Sequence, residues 1–206
     1  MTFVRILLLF LSVTLTQISY AKTAKVLVMG DSLSAGYGIN VELGWVNLLQ
    51  HEMSKNARAS FINASVSGET SSGGLTRLPS LLSTHHPDIV ILELGGNDGL
   101  RGQPLKLMQD NLQAMIDVSQ KAGAKIILVG MQIPTNYGQR YTTQFKNTYL
   151  QLAEKNKLSL VPFLLEGVAT HNELIQSDNI HPTAEAQPIL MNNVKPTLEH
   201  VLTFIH

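Results

Sequence analysis

Lys25-Val26-Leu27-Val28-Met29 sets four consecutive apolar residues, two of them β-branched, directly before Gly30-Asp31-Ser32. An apolar run without polar alternation fits a strand covered on both faces, as in a parallel sheet. Runs of the same kind return at 89–94 and in Ile126-Ile127-Leu128-Val129, and shorter ones at 59–64 and 158–163 also read as strands. Between them the apolar spacing is helical. Trp45, Leu48, Leu49 and Met53 mark a helix over 44–55, and Leu75, Leu78, Leu81 and Leu82 mark one over 73–85 despite Pro79. Leu105, Met108, Leu112, Met115 and Ile116 form an amphipathic stripe that Gly123 closes. Tyr141, Phe145, Tyr149 and Leu152 form another, and this aromatic stripe reads as core. The tail over 183–203 is helical in pattern, with Pro188 and Pro196 expected to limit or kink it. Five alternations of strand and helix predict an α/β fold: a parallel sheet with helices on both faces, joined by right-handed crossovers. With no internal repeat, low-complexity segment or linker, residues 22–206 are expected to form one domain.

The first residues belong to a different pattern. Arg5 precedes a mostly aliphatic run from Ile6 to Leu15, and Ser19-Tyr20-Ala21 offers small residues for processing. This is the layout of a secretory signal peptide over residues 1–21, with cleavage expected after Ala21. The run is too short for a bilayer crossing, which takes roughly 20 residues, so no stable membrane anchor is expected after cleavage. Export points to the periplasm or the medium. Removing the segment takes away Arg5 and no acid, which moves the formal charge from 0 to −1. A near-neutral chain carries no basic footprint for nucleic acid. The chain has no cysteine, which rules out disulfides, thiol catalysis, a lipidated cysteine and thiolate metal sites.

Loops that follow the strands of such a sheet gather along one edge, where ligands bind. Ser32 stands just past the first strand. After the second strand comes Ser67-Gly68-Glu69-Thr70, and after the third Gly95-Gly96-Asn97-Asp98. Each stretch is also ordinary turn composition. The last loop holds Asp178-Asn179-Ile180-His181-Pro182, in which an acid three residues before a histidine can make one short unit. Its carboxylate would accept from His181 Nδ1–H, leaving Nε2 free to take a hydroxyl proton. His51, His85, His86, His171, His200 and His206 show no such companion and read as surface residues. No set of acids and histidines has metal-ligand spacing, so neither metal nor cofactor is expected. Together the four loops supply the parts for acyl transfer: Ser32 as nucleophile, His181 as base, and Asp178 to fix the histidine tautomer. The N–H groups of Ser32 and Gly68 and the amide of Asn97 are the candidate oxyanion donors.

These four blocks, in this order, resemble the GDSL-type members of the SGNH hydrolase superfamily. The stretches Met29 to Gly38, Gly95 to Gly102, Ile133 to Gly138 and Ala186-Gln187-Pro188 extend the likeness to the bacterial periplasmic thioesterase/lysophospholipase/arylesterase type. The Gly-x-Ser-x-Gly elbow of α/β-hydrolases is absent, since Ser34 stands where its last glycine would be. The resemblance implies a three-layer α/β/α sandwich with a five-stranded parallel sheet, flavodoxin-like in outline. It also implies a serine esterase that cleaves carboxylic esters and thioesters of fatty acyl groups through an acyl-enzyme. A small-molecule acyl substrate is then the expected partner, taken by a monomer in a shallow groove. By the same likeness, 99–104 is a loop that shifts as the acyl chain binds, and Gly99, Leu100, Pro134 and Tyr137 are expected substrate contacts. Trp45 reads as packing. Deacetylation of a sugar or of cell-wall carbohydrate would use the same machinery. A non-enzymatic flavodoxin-like binding module is a further alternative, although no Gly-x-Gly-x-x-Gly or phosphate loop is present.

Overall fold

A computed structural model of the chain describes residues 23–205, so the expected signal peptide lies outside the described residues. In chain order the main elements are β1 (Ala24–Gly30), α1 (Ser32–Ala35), α2 (Trp45–Ser54), β2 (Ala59–Asn63), α3 (Ser71–His85) and β3 (Ile89–Glu93). They continue with α4 (Gly96–Leu100), α5 (Leu105–Lys121), β4 (Lys125–Val129), α6 (Gln139–Asn156), β5 (Ser159–Val161) and α7 (Gln187–Leu202).

The strands form one sheet in the order β2-β1-β3-β4-β5, with every pair parallel. The all-apolar runs explain this arrangement. β3 is buried along its whole length and β1 nearly so, because helices cover both faces. On one side α2 packs against α7; on the other α3 packs against α5, and α5 against α6. The result is the expected three-layer α/β/α sandwich. Trp45, Phe145 and Tyr149 are buried in the core, while Tyr141 is half-buried and donates its hydroxyl to Gln103 O at 2.9 Å.

The strand order reverses between β1 and β3, whose loops therefore diverge and leave a crevice at the carboxyl ends of the strands. Register carries the site into that crevice. Gly30 pairs with Glu93, so the turn after β1 and the turn after β3 start side by side.

The structure departs from the sequence expectations at several points. The fifth strand is only three residues long, starting at Ser159, although it ends before Pro162 as expected, since proline has no N–H to offer a ladder. The last helix begins at Gln187 instead of near 183, with Pro188 in its first turn, where no donor is needed. Thr183 N instead donates to Leu174 O at 2.8 Å. Pro196 sits inside α7 without ending it, whereas Pro79 is tolerated inside α3 as expected. Two short helices, α1 and α4, occupy stretches that read as loops. His171 does have an acidic neighbour, its Nδ1 standing 3.2 Å from Glu173 Oε1.

Candidate active site

Ser32 opens α1 immediately beyond β1. Asp31 caps that helix, its Oδ1 accepting from Leu33 N at 3.0 Å. The approach is so close that a Cβ at Gly30 would lie 2.7 Å from both Glu93 Oε2 and Ser34 Oγ, which is why a glycine precedes the acid and the serine.

The partner arrives from the far end of the chain. Ile175 and Pro182 form an antiparallel bridge, and Gln176 N donates to His181 O at 2.7 Å, so residues 175–182 make a closed loop. At its tip Asp178 Oδ1 accepts from Ile180 N at 2.9 Å and His181 N at 3.0 Å, while Asn179 adopts a left-handed φ of 59° that asparagine tolerates well. The other oxygen, Oδ2, stands 2.6 Å from His181 Nδ1, and His181 Nε2 stands 2.8 Å from Ser32 Oγ. An ionised Asp178 can only accept, so Nδ1 carries the proton and Nε2 accepts from the serine hydroxyl. The bonds that Asp178 receives from the backbone N–H and the ring of His181 pull its pKa down to about 2.

Ser32, Gly68 and Asn97 line the same cleft. The N–H of Ser32 belongs to a helical first turn, where donors have no intrahelical acceptor. Gly68 lies in a turn closed by Glu69 N to Val66 O at 3.1 Å, with a φ of 78° that favours glycine. Asn97, on the first turn of α4, donates through Nδ2 to Asp31 Oδ2 at 3.0 Å and to Glu69 O at 2.9 Å. Both amide hydrogens are thus engaged, and an oxyanion must share one or displace Glu69 O. Asp98 fastens α4 to α3, accepting from Ser71 N at 2.8 Å and Ser71 Oγ at 2.6 Å.

Two acids at the serine turn are buried, Asp31 in the turn itself and Glu93 beside it, and the sequence assigns a role to neither. Glu93 Oε2 accepts from Ser34 Oγ at 2.7 Å and from Asp31 N at 3.2 Å. Burial raises the Asp31 pKa to about 6, and burial together with the Asp31 charge pushes Glu93 well above the usual carboxylate range. A charged residue within the aliphatic run 89–94 was the one available signal for Glu93.

Ser32 and His181 line a cleft of about 470 Å³, with Asp178 outside the lining. Met131, Ile133, Phe163, Leu165 and Ile180 give it an apolar lining, joined by the expected contacts Leu100 and Pro134. The other two expected contacts do not face it. Gly99 is buried against Phe145 and Ile133, because α4 turns its small side inward to dock on α6. Tyr137 is exposed and is not part of the lining; its hydroxyl donates to Leu100 O at 2.9 Å. The segment 99–104, expected to be a loop, begins as the end of α4 and is tied back by Arg101 N to Asn97 O and Gln103 N to Asp98 O. Among the described residues no group of three or more His, Asp or Glu is placed to hold a metal ion, and no helix is long and apolar enough to cross a membrane.

Comparison with known proteins places this geometry in a family. A profile of the GDSL-like lipase/acylhydrolase family matches residues 28–188. The esterase TesA of Pseudomonas aeruginosa is 47% identical over 191 residues, spanning 92% of this chain and 94% of the relative. Thioesterase 1/protease 1/lysophospholipase L1 of Escherichia coli is 40% identical over 196 residues, 93% of each chain. The crystal structure of the psychrotrophic esterase EstA from Pseudoalteromonas, inhibited by monoethylphosphonate, superposes with a TM-score of 0.84 at 41% identity, covering 87% of this chain and 99% of that one. The chain belongs to the GDSL-like lipase/acylhydrolase family.

Proposed function

We propose that this member of an acylhydrolase family is a serine esterase that cleaves carboxylic esters and thioesters of fatty acyl groups by way of an acyl-enzyme on Ser32. The observation that supports it best is the relay of 2.8 Å and 2.6 Å from Ser32 through His181 to Asp178, whose first two members line an apolar cleft. His181 Nε2 takes the hydroxyl proton as Ser32 Oγ attacks the acyl carbon, and Asp178 stabilises the imidazolium. The oxyanion is met by Ser32 N–H, Gly68 N–H and the Asn97 amide, with the Asn97 bond to Glu69 O giving way. His181 returns the proton to the leaving alcohol or thiol, then activates the water that releases the acid.

The relatives' names, esterase and thioesterase/lysophospholipase, fit an apolar cleft that takes an acyl chain. That lining also favours longer acyl groups over the acetyl groups a carbohydrate deacetylase would remove. Residues 1–21 would direct export to the periplasm or the medium. The test is a panel of p-nitrophenyl esters from acetate to palmitate, with acyl-CoA and lysophospholipid, on wild type and Ser32→Ala. The expected result is a preference for medium or long chains, and a Ser32→Ala protein that melts normally without turning over any substrate. Full activity in that variant would overturn the mechanism, and a strict acetyl preference would overturn the substrate class.

A further inference from the structure

Ser32, at the start of α1, and His181, on the 175–182 loop, are 149 residues apart, so their 2.8 Å contact depends on how those two segments dock. Asp178 cannot set that docking, because it rides on the same loop as the histidine. A side chain outside the relay joins the two segments. Gln176 Nε2 donates to Tyr37 O at 2.9 Å, on the segment that follows the serine, and to Pro182 O at 2.9 Å, next to the histidine. Both amide hydrogens are used, one on each side of the seam. Tyr37 N donates to Ser32 O at 3.1 Å, which carries the tie to the nucleophile itself. Gly38, at a φ of 76°, leaves the room: a Cβ there would run into the Gln176 amide.

The same tie presents a ring to the base. The Tyr37 ring centroid lies 4.5 Å from that of His181, with the planes tilted by 40°. Tyr37 is 52% exposed, so burial in the core does not account for its position. The Asp178 and Ser32 bonds to His181 meet its two ring nitrogens and leave the faces of the imidazole without restraint from either. An aromatic face supplies that restraint, and it attracts the positive charge the ring acquires when the serine is deprotonated.

We propose that Gln176 and Tyr37 form a clamp that seats His181 against Ser32, with Gln176 a positioning residue that docks the two segments and the Tyr37 ring the face on which the imidazolium forms. The proposal rests on His181 being the base. Its test is steady-state kinetics with p-nitrophenyl acetate, whose acyl group is too short to report on the cleft, for Gln176→Met, Tyr37→Leu, Tyr37→Phe, the Gln176→Met/Tyr37→Leu double variant and His181→Ala, each checked by thermal melt. Gln176→Met and Tyr37→Leu are each expected to lower kcat about 10- to 100-fold with KM within about twofold, and Tyr37→Phe to keep kcat within about threefold. The double variant should lose much less than the product of the single losses, since both substitutions open one seam. Folded single variants with near-normal kcat, or losses confined to KM, would overturn the clamp while an inactive His181→Ala leaves the base assignment standing. Loss in Tyr37→Phe equal to that in Tyr37→Leu would overturn the role of the ring. An active His181→Ala would overturn the base assignment and the clamp with it.

Discussion

Replacing Asp178 by asparagine exchanges one anionic acceptor oxygen for a neutral NH2 donor and leaves the loop's shape nearly intact. The asparagine Oδ1 can still accept from Ile180 N and His181 N, the two bonds that close the turn. What changes is the 2.6 Å contact with His181 Nδ1. The substituted amide would present N–H where the ring also carries one, which favours the tautomer protonated at Nε2, unable to accept from Ser32. The imidazolium also loses its counter-charge. At 2.6 Å an ion pair is worth about 1.6 kcal/mol under full water screening and about 6 kcal/mol at an effective dielectric near 20. The Asp178 side chain is 36% exposed, and solvent screening brings the value toward the middle of that range. A loss of about 4 kcal/mol corresponds to roughly a thousandfold lower kcat. Stopped-flow turnover of p-nitrophenyl esters reads this directly, with circular dichroism melts to show that the fold is kept. A kcat within threefold of wild type in a folded variant would refute the assignment of Asp178. So would a loss that follows melting temperature alone.

Asn97→Ala is expected to lower kcat about a hundredfold or more, the usual cost of one oxyanion donor, with a smaller change in KM; a pure KM effect would remove Asn97 from that role. Asp31 has a folded pKa raised by burial from 3.8 to about 6, so its stabilising contribution is complete below 3.8 and lost as pH rises through about 6. Urea melts of wild type against Asp31→Asn should therefore show the wild type losing relative stability across that interval and a constant difference above it. Gly99→Ala places a Cβ 2.5 Å from Phe145 Cε2 and 2.9 Å from Ile133 Cγ2. The overpacking, set against the helix-propensity gain of alanine, is expected to destabilise the protein by about 1–2 kcal/mol and lower the melting temperature by about 2–8 °C.

Most of the architecture was written in local pattern. The short aliphatic runs at β1, β3 and β4, two of them rich in β-branched residues, fit strands buried on both faces, and the 3.6-residue stripes of α5 and α6 fix their inward sides. The four blocks carrying Ser32, Gly68, Asn97 and the Asp178–His181 pair were legible because each compresses its chemistry into a few neighbouring residues. What was not legible depends on pairs remote in sequence. Gln176 has no local signature, since its partners are a carbonyl 139 residues away and one across its own loop. Gly99 looked like a flexible loop glycine, and only the packing of α4 on Phe145 shows that its missing side chain serves the core. Tyr137 lies three residues from the cleft-lining Pro134 in sequence, yet it does not line the cleft and its hydroxyl bonds Leu100 O instead. The short helices α1 and α4 escaped because four and five residues are too few to display a period.

The most direct measurement is capture of the covalent intermediate. Wild-type protein mixed with excess p-nitrophenyl octanoate and acid-quenched within milliseconds should gain the mass of one octanoyl group, and peptide mapping should place that group on Ser32. Ser32→Ala should gain nothing. Rapid turnover with an unmodified Ser32, or an acyl group mapped to another side chain, would contradict the account.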